Sequence, residues 1–113
     1  MHELSLCTSI IKVIEGLTVG QSINRVTVVA LEVGALANVE LHALQFGFIA
    51  AARGTIAEGA QLQIDATPAR AWCPRCAVEL TVTRRYADCP TCGAPVMSVE
   101  GDDRLCVKHL EVE

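Results

Sequence analysis

Four of the six cysteines fall in two pairs of one design, Cys73-Pro74-Arg75-Cys76 and Cys89-Pro90-Thr91-Cys92-Gly93. Each pair is suited to a tight turn, with Pro inside it and, in the second, a trailing Gly. Twelve residues, Ala77 to Asp88, separate the pairs, and their middle, Val78 to Thr83, reads as a short hairpin strand. Four thiolates at this spacing are expected to converge on one tetrahedral Zn(II). Catalytic zinc keeps an open position for water and four cysteines leave none, so this zinc is expected to be structural. Redox-active Cys-x-x-Cys pairs are the rival reading, but those open a helix that lowers a thiol pKa, and neither pair here precedes a helical pattern.

The second constellation is the start, Met1-His2-Glu3. Aminopeptidases that trim Met need a small second residue, so Met1 is expected to stay beside His2. The Met1 amine, the His2 amide and the His2 imidazole then form fused chelate rings about one metal ion, and the Glu3 amide supplies a fourth nitrogen. A planar shell of four nitrogens suits Ni(II) or Cu(II) and is poor for Zn(II), which gains nothing from planarity. All these groups lose protons on binding, so loading should weaken steeply in acid. Any chain beginning Met-His carries the same atoms, and most such termini fray. What distinguishes this one is a helix that begins near Glu3 or Leu4.

The elements that must hold these residues follow from periodicity. Leu4, Cys7, Ile11 and Ile14 recur at helical steps, with Ile10 and Leu17 widening the stripe, and the helix ends between Gly16 and Gly20. Arg25 to Val33 is β-branched and apolar on both alternating faces, as in a central strand, and Gly34 closes it. Asn38 is placed to cap a second helix carrying Leu41, Leu44, Phe48 and Ala51, with Glu40 in its positive first turn and Gly54 as its stop. Gln61 to Ala66 alternates as a strand with one wet face, and Arg104 to Glu113 looks extended. Cys7 on the first helix and Cys106 in the last strand read as buried hydrophobes rather than ligands. His42 and His109 read as structural or surface residues.

The expected fold class is therefore α/β (α+β): a mixed three-stranded sheet with two helices, plus an inserted zinc ribbon. Residues 1-72 and 102-113 make the α/β domain, and 73-101 the zinc-ribbon domain. At 113 residues the chain is long enough for one core, so a second unit must be held by something else. A structural zinc contributes roughly 10–16 kcal/mol in small metal domains.

Bulk properties narrow the function classes. No apolar run approaches the roughly 20 residues a bilayer span needs, and Met-His-Glu-Leu lacks a basic leader, so a cytoplasmic protein without membrane is expected. Paired thiols fit that reducing compartment as metal ligands. Formal charge is −4, and neither half of the chain is strongly basic.

Together, Met1-His2-Glu3-Leu4-Ser5-Leu6, the strand ending Val33-Gly34, Glu40 and the two cysteine pairs in this order resemble the HypA/HybF family of hydrogenase-maturation nickel metallochaperones, nearly end to end. The resemblance implies that His2 is the essential nickel ligand, alongside the Met1 amine and the backbone amides of His2 and Glu3. It implies zinc on Cys73, Cys76, Cys89 and Cys92, Glu3 as a tuning residue, and Glu40 as a second-shell carboxylate. It implies delivery of nickel to the large-subunit precursor of [NiFe]-hydrogenase together with a nickel-handling maturation GTPase, and in some members service to urease.

Three readings follow. The first is a non-enzymatic nickel metallochaperone, as monomer or homodimer. The second is a zinc-ribbon nucleic-acid or protein adaptor, favoured by Arg70, Trp72, Arg75, Arg84, Arg85 and Tyr86. Against it, Cys73 to Cys92 carries three basic and two acidic residues, so no nucleic-acid partner is expected. The third is a dithiol oxidoreductase or zinc hydrolase, for which the sequence offers no general base, open metal position or nucleophile.

Overall fold

The computed structural model describes residues 2–113. In chain order the elements are α1 (His2–Thr18), β1 (Val26–Gly34), α2 (Leu41–Ala52), β2 (Gln61–Thr67), β3 (Ala69–Cys73), β4 (Val78–Val82), β5 (Met97–Glu100) and β6 (Leu105–Val112). The strands form two three-stranded sheets, ordered β2-β1-β6 and β4-β3-β5.

β1 is central in the first sheet, as its two-sided apolar pattern requires. Against β6 it is antiparallel: Arg25 bonds with Glu113 at one end, and the Gly34 N–H reaches the Arg104 carbonyl at the other. Against β2 it is parallel, with Val26 bonded to Ile56 before β2 begins and Ala35 bonded to Thr67 at its end. The sheet is thus mixed, and α2 is the crossover that a parallel pair needs. Gly34 is required where it stands, because a Cβ there would overlap the Asp102 carbonyl.

Two compact units divide the chain. The first takes in the chain up to Leu31, Val39–Ile64 and Cys106–Glu113. Its largest fully buried side chains are Phe48, Ile14, Leu31 and Leu44, drawn from both helices and β1. The helices approach closely at Gly47, where a Cβ would lie 3.2 Å from Cys7 Sγ. The Cys7 thiol donates to the Leu44 carbonyl at 3.2 Å. Burial, and then the Glu3 charge, push that thiol pKa up, so Cys7 packs as a hydrophobe.

The second unit is Glu32–Asn38 and Asp65–Leu105. Its core is small: Ala69, Ala71 and Val82, with Ala35, Leu36, Leu80, Ala87, Val96 and Val99 packed around them. These apolar contacts extend the unit well beyond the cysteine segment itself. β3 pairs with β4 from Ala69↔Val82 to Cys73↔Val78, and with β5 through Arg70↔Glu100 and Trp72↔Met97.

Two expectations need correction, and two strands were not expected. α2 is capped by Glu40, whose carboxylate accepts the Ala43 N–H, while Asn38 turns the chain with φ 56°. Asn favours both roles, so the sequence alone did not separate cap from turn. Cys106 is exposed, because β6 is an edge strand with only part of one face covered. The strands β3 and β5 are additional to the expected elements: β3 buries alternate residues, but Ala-Arg-Ala-Trp-Cys does not alternate in polarity, and β5 is only four residues long.

Candidate metal centre

The first cysteine pair is the turn of the β3–β4 hairpin. Cys73 ends β3, and Val78 opens β4 opposite it. Between them the Ala77 N–H donates to the Cys73 carbonyl at 2.8 Å, with Ala77 at φ 56°. The Cys76 N–H points at Cys73 Sγ, 3.3 Å away. The second pair repeats this construction. The Gly93 N–H donates to the Cys89 carbonyl at 2.8 Å with Gly93 at φ 77°, and the Ala94 N–H lies 3.5 Å from Cys92 Sγ. The Asp88↔Pro95 bridge closes that turn. Left-handed φ suits glycine, so Ala77 is the strained member of the two.

The four sulfurs lie within 4.8 Å of one another and could hold one metal ion. Cys73 Sγ is 3.5 Å from Cys92 Sγ, and Cys76 Sγ is 4.0 Å from Cys89 Sγ. Tetrahedral zinc with Zn–S near 2.3 Å needs sulfur separations of about 3.8 Å, so the cluster fits that ion in donor type and size. Cys73 and Cys89 are buried and the other two half-buried. Backbone N–H groups of Cys92 and then Thr91 pull the Cys89 thiol down to about 6. Hydrogen bonding with Cys92 and Cys73 pushes Cys76 up to about 12. Four thiolates at this distance repel one another, and a dication among them removes that conflict.

The other candidate site is the start of α1. Met1 lies outside the described residues, so nothing is placed for its amine. His2 occupies the first turn of α1 with a side chain 59% exposed, while that of Glu3 is 18% exposed. The His2 Nδ1 lies 3.4 Å from Glu3 Oε2, and the same oxygen accepts the Glu40 N–H at 3.3 Å. The Glu40 N–H, followed by the Glu3 backbone, holds the Glu3 carboxyl below its ordinary range. In the sequence, chelate geometry links His2 with Glu3, but only the family pattern joins Glu40 to them. Their contact joins residues 37 apart and leaves no local signal. His42 is exposed, and His109 is an exposed residue whose Nε2 lies 4.0 Å from Glu111.

Fold and site define a small protein of two sheets and two helices with a four-cysteine metal-binding knuckle. Among the described residues, no helix is long and apolar enough to cross a membrane. The sequence profile described as hydrogenase/urease nickel incorporation, metallochaperone, HypA matches residues 1–112. The chain belongs to this HypA family, a family of metallochaperones. It is 44% identical over its whole length and that of the relative to the hydrogenase maturation factor HypA of Azotobacter vinelandii, and 45% to that of Alkalilimnicola ehrlichii. The HybF maturation factor of Salmonella typhimurium is 44% identical over the same extent. The solution structure of the Ni metallochaperone HypA from Helicobacter pylori matches with a TM-score of 0.63 over 97% of this chain and 96% of that one. At 17% identity this likeness speaks for the fold alone.

Proposed function

We propose that this protein binds Ni(II) at Met1, His2 and Glu3 and delivers it for the maturation of [NiFe]-hydrogenase. Zinc in Cys73, Cys76, Cys89 and Cys92 is structural. The observation that carries the reading is the exposed His2 imidazole in the first turn of α1. The first N–H groups of a helix have no helical acceptor, so the His2 and Glu3 amides are free of intrahelical bonds and available to a metal. Helical ψ near −42° turns consecutive backbone nitrogens to one side, as a chelate ring requires.

In this reading nickel is cargo and the chain performs no catalysis. The nickel part is residues 1–72 with 102–113, and the zinc part is 73–101. Relatives named for hydrogenase maturation support hydrogenase as recipient, and the family description supports urease as a second one. The immediate partners are a nickel-handling GTPase and the hydrogenase large-subunit precursor, in the cytoplasm.

Nickel titration of the zinc-loaded chain tests this, followed by calorimetry and the visible d–d band. One equivalent with a planar signature is expected, lost in His2→Ala and in a chain extended before Met1, with zinc retained in both. Equal uptake by all three proteins would place nickel elsewhere and end the terminal-site reading.

A further inference from the structure

One carboxylate oxygen bridges the starts of two helices. Glu3 Oε2 accepts the Glu40 N–H at 3.3 Å and lies 3.4 Å from His2 Nδ1. Glu40 is the N-cap of α2: its side chain accepts from the Ala43 N–H at 2.5 Å, and its carbonyl accepts the first helical bond, from Leu44, at 3.0 Å. His2 is thus connected through Glu3 to the residue that opens α2.

The two roles of Nδ1 exclude each other. Nδ1 is the imidazole nitrogen that closes a small chelate ring with the backbone nitrogen of its own residue, whereas Nε2 faces away. Facing a carboxylate, Nδ1 is placed as a proton donor. Bound to a metal it must offer its lone pair, and its proton passes to Nε2 or to solvent. Nickel and Glu3 therefore compete for one atom. Glu3 also supplies an amide nitrogen to the proposed nickel shell, so capture moves the stem of its side chain as well.

The geometry points to Glu3 as a positioning residue that reports loading: in the free protein its carboxylate ties His2 Nδ1 to the Glu40 N–H, and nickel capture opens that tie and frees the start of α2. This rests on the terminal nickel site and goes beyond it, because it gives loaded and empty protein different α2 starts. A delivery partner has to distinguish those two states. The Glu40–Ala43 cap has no part in the exchange, so the change is confined to the turn that precedes α2.

The test is amide NMR of the zinc-loaded full chain, free and with one equivalent of Ni(II), the planar d–d band certifying occupancy. Planar Ni(II) is diamagnetic and leaves these signals readable. Exchange at the Glu40 amide is expected to quicken about fivefold on loading, the value of one net hydrogen bond, with little change at Ala43. Glu3→Gln, which removes the carboxylate that competes for Nδ1, is expected to bind nickel several-fold more tightly and to show no nickel response at Glu40. A planar band with an unmoved Glu40 amide in the unmodified chain would overturn the relay while leaving the carrier reading intact. So would a Glu3→Gln protein whose Glu40 amide still responds, or one that no longer binds nickel, which would make the carboxylate a ligand. Absence of the band, or its persistence in His2→Ala, would bring down the carrier reading and the relay with it.

Discussion

The two metal regions are built on opposite plans. The cysteine cluster is made of four side chains from two turns, two of them buried and two half-buried in their own unit. The start of α1 offers one exposed imidazole and backbone nitrogens at a helix end. A metal held by four thiolates is part of the fold, because its binding energy is folding energy. A helix end can change its bonding without disturbing the buried residues behind it, as a site that must both take up and give away an ion requires.

The largest effect expected from this contrast is zinc removal. Cys89→Ser, or a strong chelator, should unfold the β3–β5 sheet, since its core of three small residues is offset by a loss on the order of 10 kcal/mol. Amide exchange should rise throughout β3, β4 and β5 and remain slow in α1 and α2. Rapid exchange in the helices as well would show that the two regions are one cooperative body, and the contrast would break.

Phe48→Ala tests the other side. Phe48 is the largest fully buried side chain of the first unit, and its truncation should cost about 3–5 kcal/mol. Denaturant unfolding followed by helical circular dichroism would measure it, with zinc content unchanged in the folded protein.

Ala77→Gly compares the two cysteine turns with each other. Ala77 holds the left-handed conformation that Gly93 adopts in the second turn, so glycine should relieve about 1 kcal/mol of strain, less the entropy it adds to the unfolded chain. Slower zinc loss to a competing chelator is expected. Faster loss would mean that the rigidity of alanine outweighs its strain.

The smallest effect is a shared response to acid. The Glu113 carboxyl is held below its ordinary 4.5 by the Arg25 guanidinium, and that of Asp102 below 3.8 by Arg104. Both folded values are depressed, so their stabilisation is present above those ordinary values and is lost as pH falls through the folded ones. Both pairs are exposed, and a slight decline in melting temperature below about pH 4.5 is expected, removed when Glu113→Gln and Asp102→Asn are combined.

Much of this molecule is written locally. The stripe Cys7, Ile10, Ile11, Ile14 is fixed by a 3.6-residue period, and β1 by its unbroken apolar run, so both were legible without coordinates. The cysteine pairs announce a metal cluster by type and spacing, because two Cys-x-x-Cys turns at this separation suit one tetrahedral ion. The strands flanking them were not legible. Ala69–Cys73 does not alternate in polarity and Met97–Glu100 is only four residues long, and the sheet forms because the first pairs on one side with Val78–Val82 and on the other with Met97–Glu100.

Tertiary structure alone decided the rest. By type Asn38 is the better cap of α2, yet Glu40 takes that place while Asn38 turns the chain leaving β1. That Cys7 is sealed while Cys106 faces solvent follows from the close approach of α2 at Gly47 and from the edge position of β6. The meeting of His2, Glu3 and Glu40 depends on two helix starts being brought together. Sequence fixes what a residue has to offer through local period and chemistry, but which distant group receives it is set only when the chain has folded back on itself.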